Sequence, residues 1–217
     1  MKKVIITLVA ATFIAADCNG QTKNINTMNS NNKATMQDSL MISAITGQDV
    51  DFLNKNLTPE NVNKQYDVPV GILHITYSDG ESDKPIFGKG SLLHLAAFHN
   101  LPDAARILIE KGADVEAKDS EGRTPLQAAV IAYSYRTTEA QKTLIENGAN
   151  MNFYTNQGVP LLYQYIWYEN FDLAELAIAN GADVNMKTKD GDTILEFAER
   201  RGTPEIVSML KAKGATK

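Results

Sequence analysis

The sequence predicts an all-α fold, a solenoid of helix pairs with β-turn fingers and one enlarged finger, and three features in phase predict it. Four Gly-Ala pairs stand at Gly112-Ala113, Gly148-Ala149, Gly181-Ala182 and Gly214-Ala215, spaced by 36, 33 and 33 residues. A second set, Gly122, Gly158 and Gly191, keeps step at 36 and 33. Each unit also carries a short apolar phrase followed by a second apolar segment at helical spacing. Self-similarity at a fixed period of this size marks a repeat array.

The first element is an address. Lys2 and Lys3 precede an apolar run over residues 4–16, broken only by Thr7 and Thr12. A basic start followed by a short apolar core is the pattern of a secretory signal, and the run falls short of the roughly 20 residues that span a bilayer. Residues 1–20 are therefore expected to be a signal peptide. Ala15-Ala16-Asp17-Cys18 resembles the lipobox of bacterial lipoproteins, which implies lipidation at Cys18, the one cysteine of the chain. Asp17 stands where that motif carries a small neutral residue, and a cut after Gly20, leaving a soluble product, is the alternative. Both outcomes place the protein outside the cytoplasm, in the periplasm or lipid-anchored to the bacterial envelope. Residues 21–35, rich in Asn, Thr, Ser and Lys, lack apolar surface to offset chain entropy and are expected to be a disordered tether.

Residues 36–217 are expected to form the repeat domain. A degenerate capping repeat over 36–66 is read from Leu40, Ile42, Ala44, Ile45, Gly47, Val50, Phe52 and Leu53; terminal repeats are atypical because one side faces water. An insertion over 67–88 follows. Its residues 70–77 alternate as a strand, Ser78-Asp79-Gly80 is a turn signal, and Pro85-Ile86-Phe87 returns. It is either a binding loop or a lid over the weak first unit. Repeats are then expected over 89–121, 122–157, 158–190 and 191–217. The phrases Ser91-Leu92-Leu93-His94-Leu95-Ala96-Ala97 and Thr124-Pro125-Leu126-Gln127-Ala128-Ala129 open first helices, with Pro at a first-turn position where its missing N–H is harmless. Second helices are expected over 103–111, 139–147, 172–180 and 204–213, each closed by a glycine suited to a left-handed cap. The third unit is longer by three residues, placed around 133–137. Glu199, Arg200, Arg201 and Lys211 supply the polar outer surface of a C-terminal cap.

A period near 33 residues with Thr-Pro-Leu-His-x-Ala phrasing resembles the ankyrin repeat, from about Asp38 to the C-terminus. The resemblance implies stacked helix pairs with projecting fingers and a role in binding protein. His94 matches the family's histidine, whereas Gln127, Tyr163 and Glu196 depart from it; His94 is expected to bond nearby backbone. The fourth unit is aromatic. In register, Trp167 and Tyr168 match Ile131 and Ala132, near the end of the first helix, positions that border the concave groove in the family. Tyr154 matches Lys118 on a finger. Tyr and Trp bring large contact area at little entropy cost, so the expected partner-binding set is Tyr154, Trp167, Tyr168, Lys118, Glu121, Arg123 and Ile131. Tyr163, Tyr165 and Phe171 are expected to fill core.

Composition limits the rest. Hydrophobic residues make up 43% and charged residues 22%, with a formal net charge of -5. No basic stripe exists to meet phosphates, so nucleic acid is set aside. One cysteine forbids an intrachain disulfide and multi-thiolate zinc. His94 and His99 lie five apart, not the one-turn spacing of a helical zinc pair, and neither a nucleophile elbow nor a phosphate-cradling loop occurs. The expectation is a monomeric non-enzyme without cofactor or metal, touching membrane only through an N-terminal lipid. Its partner is a protein, in an immunity-type or assembly role; a secreted effector acting outside the cell is the alternative, and an enzyme with an unrecognised site the weakest.

Overall fold

A computed structural model of the chain describes residues 15–16, 22–23, 30–77, 80–132 and 138–217. Two compact units divide it, Met1–Met41 and Ile42–Lys217. In the first, strands β1 (Ala15–Ala16) and β2 (Thr22–Lys23) pair antiparallel. Helix α1 (Ser30–Gly47) starts in the first unit and ends in the second. This corrects the expected tether, since residues 30–35 are helical. The polar opening turns extend a helix whose later turns carry Leu40, Met41, Ala44 and Ile45, and adding turns to an existing helix avoids the cost of nucleation. Cys18 and the extra residues 133–137 lie outside the described residues.

Within the second unit, Asp49 caps α2 (Val50–Asn56) by accepting the Phe52 N–H at 3.0 Å. Ala44, Ile45 and Leu53 are buried, as the capping repeat requires. The insertion is an antiparallel hairpin of β3 (Tyr66–Tyr77) and β4 (Gly80–Gly90), longer at both ends than the sequence pattern suggested. The ladder shifts register between Pro69 and Gly71, a bulge that accommodates a residue with no N–H to donate. At its base, a Cβ on Gly90 would stand 2.7 Å from Val68 Cγ2 of β3, so glycine there permits the two strands to close on each other.

Four helix pairs follow. First helices are α3 (Leu92–Phe98), α5 (Pro125–Ala132), α7 (Leu161–Trp167) and α9 (Ile194–Arg201). Second helices are α4 (Pro102–Glu110), α6 (Glu139–Glu146), α8 (Phe171–Ala179) and α10 (Pro204–Ala212). The second helices stack in series, with α2 against α4, α4 against α6, α6 against α8 and α8 against α10. On the other layer α3 packs on α5 and α7 on α9, and strand β3 packs on both α3 and α5. The glycines after α4, α6, α8 and α10 all take positive φ, between 83° and 93°, the left-handed caps expected of them.

Backbone pairing between units is carried by one side chain per loop. Asn63 Oδ1 accepts the Asp114 N–H, Glu116 Oε1 that of Asn150, Asn152 Oδ1 that of Asp183, and Asn185 Oδ1 that of Thr216, at 2.8–2.9 Å. The first rung shows that the degenerate first unit keeps the register of the array. Inside the fingers, Asp119 accepts the N–H groups of Glu121 and Arg123 at 2.8 and 2.9 Å.

Candidate protein-binding surface

His94 closes a polar network at the start of α3. Its Nδ1 accepts the Ser91 N–H at 3.1 Å and lies 2.8 Å from Ser91 Oγ, and its Nε2 donates to the Arg123 carbonyl at 2.9 Å. Burial holds the imidazole below its ordinary pKa, against the opposing pull of the Arg123 carbonyl and Asp119. The ring is neutral and structural, tying one finger to the next unit.

One register position runs through all four first helices as Phe98, Ile131, Trp167 and Arg200, at intervals of 33, 36 and 33, the last two in step with Gly122, Gly158 and Gly191. Phe98 is 6% exposed, Ile131 half-buried, Trp167 46% exposed, and Arg200 exposed. Every residue of α3 is buried, which requires cover on all sides, and β3 supplies it on one of them. Helix α7 reads LLYQYIW, equally without charge, yet ends in an exposed indole.

That indole belongs to a cluster. Tyr163 stacks on Phe197 of α9 with centroids 4.2 Å apart, and Trp167 lies 5.9 Å from each of them, tilted. The Arg200 guanidinium sits 6.0 Å above Phe197. Desolvation raises the Tyr163 phenol, and the negative charge of Asp192 adds to the shift. Offset and tilted pairs of this kind hold the rings in a fixed arrangement, so Trp167 is presented by a rigid base.

The remaining expected residues divide. Tyr154, 51% exposed, stands on its finger and donates its hydroxyl to the Lys187 carbonyl of the next finger at 3.0 Å. Tyr168 is half-buried and accepts from Gln157 Nε2 at 2.6 Å. Lys118 and Glu121 are exposed on the preceding finger. Arg123 is turned inward, its Nε donating to the buried Asp119 carboxylate at 3.1 Å, so its side chain braces the finger. Tyr163 and Tyr165 are buried as expected, and Tyr165 O–H donates to the buried Gln141 Oε1 at 2.9 Å. Phe171 is only half-buried. Sequence reasoning missed Phe197, which the register places one turn before Arg200, and Phe87 on β4, 64% exposed. Among the described residues, no group of three or more His, Cys, Asp or Glu side chains is placed to hold a metal ion, and no helix is long and apolar enough to cross a membrane.

A stack of helix pairs with capped fingers and a fixed aromatic patch defines a solenoid that presents a surface. The family model described as ankyrin repeats (3 copies) matches residues 12–155, and a second, ankyrin repeats (many copies), matches 161–210. The chain belongs to the ankyrin repeat family. It is 31% identical over 108 residues to a transient receptor potential cation channel subfamily A member 1 homolog of Caenorhabditis elegans, covering 50% of this chain and 9% of that protein. It is 30% identical over 124 residues to the mouse B-cell lymphoma 3 protein homolog, covering 57% and 26%. Against human neurogenic locus notch homolog protein 1 it is 29% identical over 180 residues, covering 82% and 7%. The chain thus spans only 7% to 26% of the length of these relatives. A solved ankyrin repeat domain, that of Bcl-3, superposes at a TM-score of 0.45 with 28% identity, covering 58% of this chain and 57% of the other. Ankyrin repeats are protein–protein interaction modules, and that is the class of this chain.

Proposed function

We propose that this protein is a dedicated protein-binding module of a bacterial cell envelope, exported by its first 20 residues and holding one protein partner on the groove face of α7 together with the adjacent fingers. One observation carries the reading. Helices α3, α5 and α7 are all without charged residues, and β3 packs on the first two, but α7 keeps an indole 46% exposed. An uncovered aromatic anchor on a rigid base is the chemistry of a binding hot spot. The envelope setting is supported by Lys2, Lys3, the apolar run over residues 4–16 and Cys18. Immunity toward a toxin and assistance to an envelope enzyme are the two roles that suit a monomeric module held there.

Affinity capture of the full-length protein from its own envelope fraction tests the binding surface. One dominant partner is expected, lost with Trp167→Ala/Tyr168→Ala. No partner, or one indifferent to both substitutions, overturns the reading. Labelled palmitate is expected to enter the protein and to be absent from Cys18→Ala; a chain that takes up no label is not lipid-anchored.

A further inference from the structure

The four first helices do not form one unbroken layer. Helix α3 packs on α5 and α7 on α9, but α5 and α7, neighbours in the same series, make no comparable contact. The sequence supplies a reason. Ala96, Ala129 and Ala198 share one register position and are buried, and side chains that small let helices lie close to what they pack on. At that position α7 carries Tyr165, whose ring reaches α6 and bonds Gln141 there at 2.9 Å. A phenol standing where the other units have a methyl group holds α7 away from α5.

Polar groups at this junction are also mismatched. Phe197 on α9 reaches back to α7 and stacks on Tyr163 with centroids 4.2 Å apart. One unit earlier the same register position is Gln164, buried, with its carboxamide oxygen unbonded among the described residues. The fingers repeat the contrast. Asp119 accepts from Arg123 Nε at 3.1 Å, and Thr188 Oγ1 accepts the Asp192 N–H at 3.1 Å. Thr155 holds that position in the finger before α7, where its hydroxyl is buried and unbonded. Of the three buried side-chain polar atoms left unbonded among the described residues, two therefore stand at this junction, and each costs stability. Holding it together are α6 against α8, the Tyr165 bond, and two exposed bonds between fingers through Asn152 and Tyr154.

The stability of a linear array is close to a sum over its units and the interfaces between neighbours, so it opens at its weakest interface. The two units beyond this junction fall short of the roughly three that an array needs to stand alone. We propose that the array opens between its third and fourth units, and that α7 to α10 unfold as one block while α2 to α6 and the β3–β4 hairpin stay folded. This inference does not depend on the partner proposed above, but it bears on it. Trp167, Tyr168 and Phe197 all belong to the block, so that surface exists only while the junction is closed, and a partner bound there favours closure.

Trp167 is the one tryptophan of the chain, so its emission reports the unfolding of the block. In urea that emission is expected to change in a first transition, while circular dichroism of the full chain loses helix in two steps. Native-state hydrogen exchange read by mass spectrometry should show the amides of α7 to α10 exchanging at least about ten-fold faster than those of α3 to α6. Gln164→Leu gives α7 the residue that α3 carries at the same register position, Leu95. By removing the unmade acceptor it should raise the first midpoint by about 0.5 M urea and leave the second in place. Thr155→Val should move the first midpoint in the same direction. Coincident transitions by both probes with uniform exchange, or protection lost first in α3 to α6, overturns the inference. A first midpoint that neither substitution moves does the same.

Discussion

The two halves of the first-helix layer differ in a way that separates folding from binding. In the half made by α3 and α5, the chain covers itself: β3 lies against both helices, and Phe98 is buried. In the half made by α7 and α9, Trp167 at the same register position is exposed and Arg200 after it is solvated. Sequence composition follows this division. Helix α3 is LLHLAAF, apolar on every side, while α9 is ILEFAERR and leaves its outer side polar. Helix α7 has the composition of the covered half and the position of the open one. On the binding reading proposed above, a partner covers the indole that the monomer leaves open. The insertion reaches the first half through β3, which packs on α3 and α5.

The sharpest test of that contrast is a pair of substitutions at one register position. Phe98→Ala should cost about 3 kcal/mol, as truncations of buried aromatics do, lowering the melting temperature by roughly 6–12 °C for a domain of this size. Trp167→Ala should cost less than about 1 kcal/mol and abolish partner capture. Equal losses of stability in the two variants would mean that the halves do not differ.

Replacing residues 70–86 by a two-residue turn is next in size. Uncovering the apolar side of α3 and α5 should cost about 2 kcal/mol and raise binding of a hydrophobic dye. An unchanged melting temperature with no dye binding would show that β3 is not the cover. Smaller again is the effect of Tyr165→Phe. It leaves the buried Gln141 carboxamide without its 2.9 Å partner, a cost of about 1–2 kcal/mol, read by urea denaturation. Burial pushes the Tyr165 phenol far above its ordinary pKa, so the hydroxyl remains a donor across the accessible pH range and this loss should be independent of pH.

Much of this was legible in the residues. The glycine period fixes the array, because a left-handed cap and a finger turn recur once per unit, and the repeat boundaries follow. Trp167 and Tyr154 were legible as exposed because they fall where the register places groove and finger. The path of the hairpin was not legible, since an alternating strand reveals that one side is covered without naming what covers it. The all-apolar α3 was the available clue, as a first helix with no polar side demands a lid. Phe197 was hidden for the opposite reason: it sits in the polar phrase of a capping repeat, and only the stacked geometry with Tyr163 gives it a role.

The smallest effect concerns the covered half and its polar network. His94 has its pKa lowered by burial, so the folded state resists the proton while the unfolded chain takes it at the ordinary value of about 6.5. Above that value neither state is protonated and His94 adds no pH dependence. Below it the unfolded state holds a proton the folded state lacks, so stability falls with pH, by at most about 1.4 kcal/mol per pH unit, until the lowered folded pKa is reached. Carboxylates titrate mainly below this window, which leaves the limb between about pH 6.5 and 5 to the histidines. His99, also lowered by burial, contributes with the same sign, so a variant is needed to isolate His94. Gln127 shows what fits: at the same register position it accepts the Thr124 N–H at 2.9 Å. His94→Gln should therefore keep the helix cap, lose the bond to the Arg123 carbonyl, and be less stable at neutral pH with a flatter acid limb. Urea midpoints measured at pH 7.5, 6 and 5 on both proteins check this. Parallel acid limbs would show that the ring takes up its proton in the folded state, and that the cover over α3 opens far more readily than its burial implies.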